Sequence, residues 1–399
     1  MAAAAQKQNV IGAGAFGAVI QPALQNTLNG ELKDFPDNVT KVFFVKRNMN
    51  TALNTAKKLP RLMGNNNGHR IYPYSRKIKG SNLPANLFTK LKARKELNMN
   101  SNLHILRMPY LGVDIYHLNA IHAEELRKVP ITTILEQIQK LIHQTGKLAE
   151  AGYGHFDIRQ TNVMVRPETG TLTIIDFDWL MPLKDLEKEY KPHFGYFSNP
   201  PESLLAKLVG RPYLSIYDVS VVGYTRENWT YNEKILRPMG ITSMLDLKRK
   251  YEEAIADTYS MLDPLESKFK DCLPYFDNYG LAFTLLLFIE AVYGAEVIRK
   301  TDATTSFDEV VKLLLRMCAF KLRERISPAE AVAAIDAIMA RVGEEPEPAP
   351  EPAPAPAPAI ENNMPALVAT ANNPNPWTPN YSKTRRRHRR GRRNQTRKK

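Results

Sequence analysis

Apolar positions along this chain fall into two regimes. Over the first hundred residues they come as short runs broken by Gly and Asn, such as "NVTKVFFV" (38–45) and "NLHILRMPYLG" (102–112). Runs of that length, rich in β-branched and aromatic side chains, predict strands. From Ile131 the period changes. Ile131, Ile134, Leu135, Ile138, Leu141, Ile142 and Leu148 recur three or four residues apart, as one face of a helix does. Further helical stretches are predicted at 246–262, 279–293, 307–319 and 328–340. The expected class is therefore α+β, with a small strand-rich lobe ahead of a larger helical one, and no internal repeat is visible.

Composition sets the limits of that picture. At 399 residues and 43% apolar, the chain is long enough for one large or two ordinary domains with substantial cores. At 343–360 the sequence becomes "GEEPEPAPEPAPAPAPAI", whose alternating Pro and Ala suit an extended polyproline-type spacer. The expected organisation is 1–111 and 112–342 as the folded lobes, 343–382 as a disordered linker and 383–399 as a tail. Two cysteines, Cys272 and Cys318, argue against a disulfide framework and fit a reducing compartment. The N-terminus shows no secretory pattern. The longest apolar stretch, from Leu281, meets Glu290 after nine residues and reads as a buried helix rather than a span. An intracellular protein without a membrane partner is expected; oligomeric state is not legible.

Charge is unevenly spread. The net charge is +14, and the last seventeen residues hold eleven Lys or Arg with no acid, which leaves +3 on residues 1–382. Such a tail is expected to bind polyanions, nucleic acid among them, or to serve nuclear import or packaging. A second asymmetry lies inside the body: from Lys41 to Lys95 there is no Asp or Glu, while Lys and Arg are abundant.

Against this background several chemistry-bearing groups stand in a fixed order. "IGAGAFGAV" supplies Gly12, Gly14 and Gly17, then Val19, a spacing that lets a hairpin backbone approach phosphates. The next strand-like run carries Lys41 among apolar neighbours. A strand there, where a dinucleotide-binding fold would start a helix, argues against that fold. Much later, "HFDIRQTN" (155–162) sets Asp157 five residues before Asn162, and Asp176 follows an apolar run in "TLTIIDFDWL".

Taken together, these residues resemble a eukaryotic-type serine/threonine protein kinase, with glycine loop, strand lysine, His-x-Asp-x-x-x-x-Asn and strand-Asp-Phe in order. The resemblance implies a bilobal fold that transfers the γ-phosphate of ATP to Ser or Thr hydroxyls of a protein substrate. It assigns Asp157 to the acceptor hydroxyl and Lys41 to the α and β phosphates. It assigns Asn162 and Asp176 to magnesium (manganese as a substitute) and Arg159 to the cation beside the transferred phosphate. Met108, Pro109 and Leu111 would line the adenine. Glu202 of "NPPES" would pair with Arg325, Asp277 would begin the central helix, with Asp218 as a competing match, and His155 would be structural. The divergent motifs, the insertions and the Pro-Ala spacer before a basic tail are similar to kinases of large nucleocytoplasmic DNA viruses.

Departures from the family pattern are equally specific. Phe156 stands where an arginine reads an activation-loop phosphate, which implies activity not switched in that way. Arg159 replaces a lysine, and Asp178 replaces the glycine after Asp-Phe, with Trp179 placed to pack over the site. "NMNTALNTAKKLPRLMG", which should supply a glutamate to Lys41, contains no acid; Glu96 could serve only if that helix is displaced. Two other functions follow from these features: a pseudokinase scaffold tethered to nucleic acid, or a small-molecule kinase of the aminoglycoside or choline kinase type. The Pro-Pro-Glu segment and the Arg325 region argue against the latter.

Overall fold

The computed structural model describes residues 9–13, 17–21, 38–64, 75–79, 88–89, 100–182, 200–201, 233, 235–261, 272, 274–299 and 305–342. Gly14, Glu96, Glu202, Asp218, the Pro-Ala segment and the basic tail lie outside these residues. The architecture is mixed α+β, with a helical majority and small sheets. Among the described residues the chain divides into two compact units, one of those up to Met49 and from Ser75 to Met108, the other of those from Asn50 to Gly64 and from Pro109 to Val342.

The first unit is built on a five-stranded sheet of order β1-β2-β3-β5-β4. Its strands are β1 (Asn9–Ala13), β2 (Gly17–Gln21), β3 (Asn38–Phe43), β4 (Ser75–Lys79) and β5 (Asn102–Pro109). The glycine-rich stretch is thus a β-hairpin: β1 runs antiparallel to β2, with an irregularity between Val10 and Gly12. Ala18, Ile20, Val42, Phe43, Leu103 and Leu106 are fully enclosed, and because side chains alternate along a strand, Val42 and Phe43 face opposite sides of the sheet. Along β3 every residue is buried except Lys41, which is half-buried.

A helix, α1 (Lys46–Met63), follows β3, and the boundary between the units falls within it, after Met49. The grouping has a packing cause. Leu59 and Met63 are buried among the core side chains of the second unit, although the sequence pattern put everything to residue 111 in one segment.

The second unit is helical around two small sheets. Its helices are α2 (Ala120–Arg127), α3 (Ile131–Glu150), α4 (Met244–Met261), α5 (Pro274–Tyr293), α6 (Ala295–Arg299), α7 (Ser306–Met317) and α8 (Pro328–Val342). α3 turns Ile134, Leu135, Ile138, Leu141, Ile142 and Leu148 into the core, the face its periodicity predicts. α7 starts at a capping box: Thr305 Oγ1 accepts from the Asp308 N–H at 3.2 Å, and Asp308 returns a carboxylate to the Thr305 N–H at 3.2 Å.

α5 is apolar on every side, as a helix enclosed by neighbours must be. Every residue from Phe276 to Ile289 is buried. Its twenty residues are long and apolar enough to cross a bilayer by length and composition alone, longer than the interrupted run in the sequence suggested. Here α3, α7 and α8 pack against it. Both cysteines are free and buried, and enclosure pushes the Cys318 thiol up to about 12.

The short strands β6 (Val113–Asp114), β8 (Val163–Arg166) and β9 (Thr171–Ile174) form one sheet, and β7 (Tyr153–Gly154) pairs with β10 (Met181–Pro182). Gly112 leads into β6 with φ +94°, and a Cβ there would lie 2.0 Å from the Val165 carbonyl oxygen. Gly112→Ala therefore carries both left-handed strain and a clash with backbone that cannot rotate away. A loss of about 2 kcal/mol or more is expected, read as a lowered thermal midpoint. An unchanged midpoint would mean that β6 and β8 separate freely.

Candidate functional site

Two strand pairings bracket the site. β7 pairs with β10, which closes residues 155–180 into one loop system, and β8 pairs with β9 inside it. The register sets Val163 opposite Ile174, and the Ile175 N–H donates to the Asn162 carbonyl at 2.8 Å. Asn162 and Asp176 are therefore neighbours at the open end of the β8–β9 ribbon, although fourteen residues part them in sequence.

The loop ahead of β8 is held from below. Asp277, in the first turn of α5, accepts the His155 N–H at 2.6 Å and the Phe156 N–H at 2.8 Å. Burial pushes this carboxyl above the ordinary range, against the opposing pull of His155 and the two N–H donors. His155 is fully buried. Its Nδ1 accepts the Asp157 N–H at 3.2 Å, which leaves the proton on Nε2 to donate to the Ile175 carbonyl at 2.9 Å. The imidazole thus ties the loop to the end of β9, and the Phe177 ring lies against it with centroids 4.4 Å apart.

That clamp bends the backbone. Phe156 sits at φ 59°, an uncommon conformation for a bulky residue, while its ring is buried against Phe276. Gly154 makes the space: a Cβ there would lie 2.4 Å from the Phe156 ring. The sequence marked Phe156 only as a missing arginine. "GYGHF", with a glycine two residues before a large ring, was the available signal for the fold-back.

Asp157 emerges from this bend almost buried, and two side chains engage it. Asn162 Nδ2 donates to the Asp157 carboxylate at 2.9 Å and to its backbone carbonyl at 2.8 Å. Arg159 Nε stands 3.2 Å from the other carboxylate oxygen as an ion pair. The Asn162 amide nitrogen is thus engaged by two acceptors of Asp157, and Oδ1 is the oxygen that this side chain could offer a ligand. Asp176 follows β9 at φ 62° and ψ 55°, one residue beyond the Ile175 N–H that donates to the Asn162 backbone carbonyl. Asp178 lies in the following 3-10 turn, Phe177–Trp179, with no positive φ, so a Cβ costs nothing where the family pattern has glycine.

Among the described residues no group of three His, Cys, Asp or Glu forms a ready metal cage. An Asn–Asp pair of hard oxygens is instead the set that suits a magnesium ion sharing its coordination with phosphate oxygens and water.

The remaining predicted residues divide between the units. Gly12, Gly17, Val19, Lys41 and Met108 belong to the first. Val19 stands opposite Lys41 in the β2–β3 register, and the Lys41 ammonium lies 5.3 Å from the centre of the Phe43 ring. Pro109 and Leu111 belong to the second unit with Asp157, Arg159, Asn162 and Asp176. The Arg166 guanidinium donates to the carbonyl of Tyr110, which fastens that short connection to β8. Arg325 is buried, donates to the Ala319 carbonyl at 2.6 Å and the Phe320 carbonyl at 2.9 Å, and lies 4.7 Å over the Tyr279 ring. A cleft of about 410 Å³, lined by Glu125, Lys128, Pro130 and Glu168 among others, includes none of the predicted site residues.

No family model and no curated protein sequence matches the chain. Solved structures do: a Toxoplasma gondii specific rhoptry antigen kinase domain aligns over 84% of this chain and 81% of its own, at 11% identity and a TM-score of 0.45.

Proposed function

We propose that the chain is an ATP-dependent protein kinase that phosphorylates Ser or Thr hydroxyls. One observation carries the proposal: Asn162 Nδ2 holds the carboxylate of Asp157, while the Asn162 backbone carbonyl accepts from the N–H of Ile175, the residue before Asp176. Asp157, Asn162 and Asp176 thus lie on adjoining stretches of backbone, and in this reading their side-chain oxygens serve one phosphate–metal cluster. In the transfer, the acceptor oxygen bonds to the γ-phosphorus as the bond to the ADP leaving oxygen breaks. Asp157 takes or orients the hydroxyl proton, and the products are a phosphate monoester and ADP. Arg159 supplies positive charge to the phosphoryl oxygens. Bound magnesium neutralises the phosphate charge, and Asn162 and Asp176 are the residues to hold it. Lys41 is assigned to the α and β phosphates, with Gly12, Gly14, Gly17, Val19, Met108, Pro109 and Leu111 around the nucleotide. The protein substrate sits inside the cell in this reading, and the 383–399 tail anchors the enzyme to nucleic acid through its eleven cations.

Asp176→Ala tests the metal assignment. Activity should fall by about two orders of magnitude or more, and magnesium should no longer tighten ATP binding. Magnesium dependence identical to that of the parent chain would remove Asp176 from the site.

A second reading, a scaffold without turnover, draws on one feature: α1 has no acidic residue in any of its eighteen positions to pair with Lys41. Turnover parts the two readings, since a scaffold forms no magnesium-dependent ADP; in an active enzyme, mutation then identifies the partner of Lys41. If Lys41 works without a glutamate, Lys41→Met should abolish transfer while Glu96→Gln leaves it within a few-fold. Equal losses in both variants would show that Glu96 has been recruited from further along the chain. Full activity in Lys41→Met would favour neither role for this lysine.

A further inference from the structure

α1 carries a second feature that phosphoryl transfer does not use. Its eighteen residues hold five cations and no acid. Met49, Leu59 and Met63 are buried and mark its inner face, while Lys46, Arg47, Asn50, Thr51, Asn54, Lys57, Lys58 and Arg61 are all exposed. On a regular helix of 3.6 residues per turn, Lys46, Arg47, Asn50, Asn54, Lys57 and Lys58 fall within an arc of about 120°, and Arg61 joins them just beyond Pro60, which removes one bond of the ladder. The cations are not evenly spaced along it. Lys46 and Arg47 occupy the first turn, Lys57, Lys58 and Arg61 the last two, and the stretch between presents short amides and a hydroxyl. Arg47 and Lys58 are eleven residues apart, about 16 Å along the helix axis at a rise of about 1.5 Å per residue.

That spacing has a geometric match. The major groove of B-form DNA is about 12 Å wide and admits an α-helix, with a phosphate strand on either side. A helix crossing it needs cations at both ends for the phosphates and short hydrogen-bonding side chains between for the base edges. Asn is suited to adenine there. A-form RNA is a poor fit, because its major groove is deep and narrow. A bilayer surface fits poorly too, since no exposed large apolar side chain lies on α1 to enter it. We propose that the outer face of α1 is a docking surface for duplex DNA, with Lys46 and Arg47 on one strand's phosphates and Lys57, Lys58 and Arg61 on the other's. It acts in addition to the basic tail and is independent of catalysis.

The test keeps the full chain and reads the salt dependence of binding to a random-sequence duplex by fluorescence anisotropy. Each phosphate left without its cation lowers the slope of log K against log salt by about 0.9, so Lys57→Gln/Lys58→Gln/Arg61→Gln should lower it by about 2.7. Between 50 and 200 mM salt the parent chain should then lose about 40-fold more affinity than the variant. Glutamine keeps the helix propensity, and an unchanged thermal midpoint confirms that α1 still folds. Should the midpoint fall, Lys57→Arg/Lys58→Arg/Arg61→Lys carries the test, and it should keep the parent slope. On a single-stranded probe, which the tail also binds, the glutamine variant should change the slope by less than one. The proposal is overturned if the duplex slope is unchanged, or if duplex and single strand lose equally. It also falls if phosphatidylserine vesicles, rather than DNA, lose affinity. Lys248→Gln/Arg249→Gln/Lys250→Gln, on the mixed-charge surface of α4, should leave the duplex slope untouched; a drop there equal to that of α1 would overturn the site.

Discussion

Asp157→Asn is expected to reduce phosphoryl transfer by about two to four orders of magnitude while ATP affinity stays within a few-fold of the parent chain. The substitution is nearly isosteric, so the loop should survive it. The new side-chain oxygen can still accept from Asn162 Nδ2, which reaches the present carboxylate at 2.9 Å and the backbone carbonyl at 2.8 Å. What disappears is a base able to take the acceptor's proton, and with it the ion pair to Arg159 at 3.2 Å. Because Arg159 Nε and Asp157 are both buried, loss of this counter-charge should also lower the thermal midpoint, although the variant remains folded. The expected pattern is a collapse of kcat with KM for ATP preserved. Turnover within a few-fold of the parent would remove Asp157 from the chemistry. A collapse of ATP affinity instead would assign it to the nucleotide or its metal.

Asp277→Ala should be the most damaging single change to stability near the site. The carboxylate satisfies two buried backbone N–H groups, at 2.6 and 2.8 Å, and alanine leaves both without a partner. At about 1–3 kcal/mol for each abandoned donor, a loss of about 2–6 kcal/mol is expected. It should also release Phe156 from φ 59°, because the paired N–H bonds are what hold that turn. Asp157 follows directly in the chain, so activity should fall even where the variant remains folded. Asp277→Asn provides the graded comparison: its amide can accept one N–H but not both, and about half the loss should remain. An unchanged midpoint in both variants would mean that water substitutes for the carboxylate.

Much of this was legible in the sequence, for identifiable reasons. α3 and α7 are amphipathic, so a period near 3.6 betrayed them to within two residues. β3 and β5 were visible as bounded apolar runs. α5 was placed five residues late, because a helix buried on every side has no polar face to mark its first turn. The juxtaposition of Asn162 with Asp176 was readable from two short strands separated by "PETG", a turn that fixes register. The φ of Phe156 was not readable, since tertiary hydrogen bonds from a carboxylate more than a hundred residues away impose it. Nor was the grouping of residues 50–63 with the second unit, which depends on the neighbours of Leu59 and Met63 and not on any local pattern.

The central claim is phosphoryl transfer at Asp157, Asn162 and Asp176. The most direct measurement is ADP formation by the purified full chain, with magnesium and ATP, in the presence and absence of a generic protein acceptor. Turnover that requires magnesium, rises with the acceptor, leaves phosphate on Ser or Thr and vanishes in Asp157→Asn is the predicted result. No magnesium-dependent ADP formation with protein acceptors, or turnover that Asp157→Asn leaves intact, would contradict it.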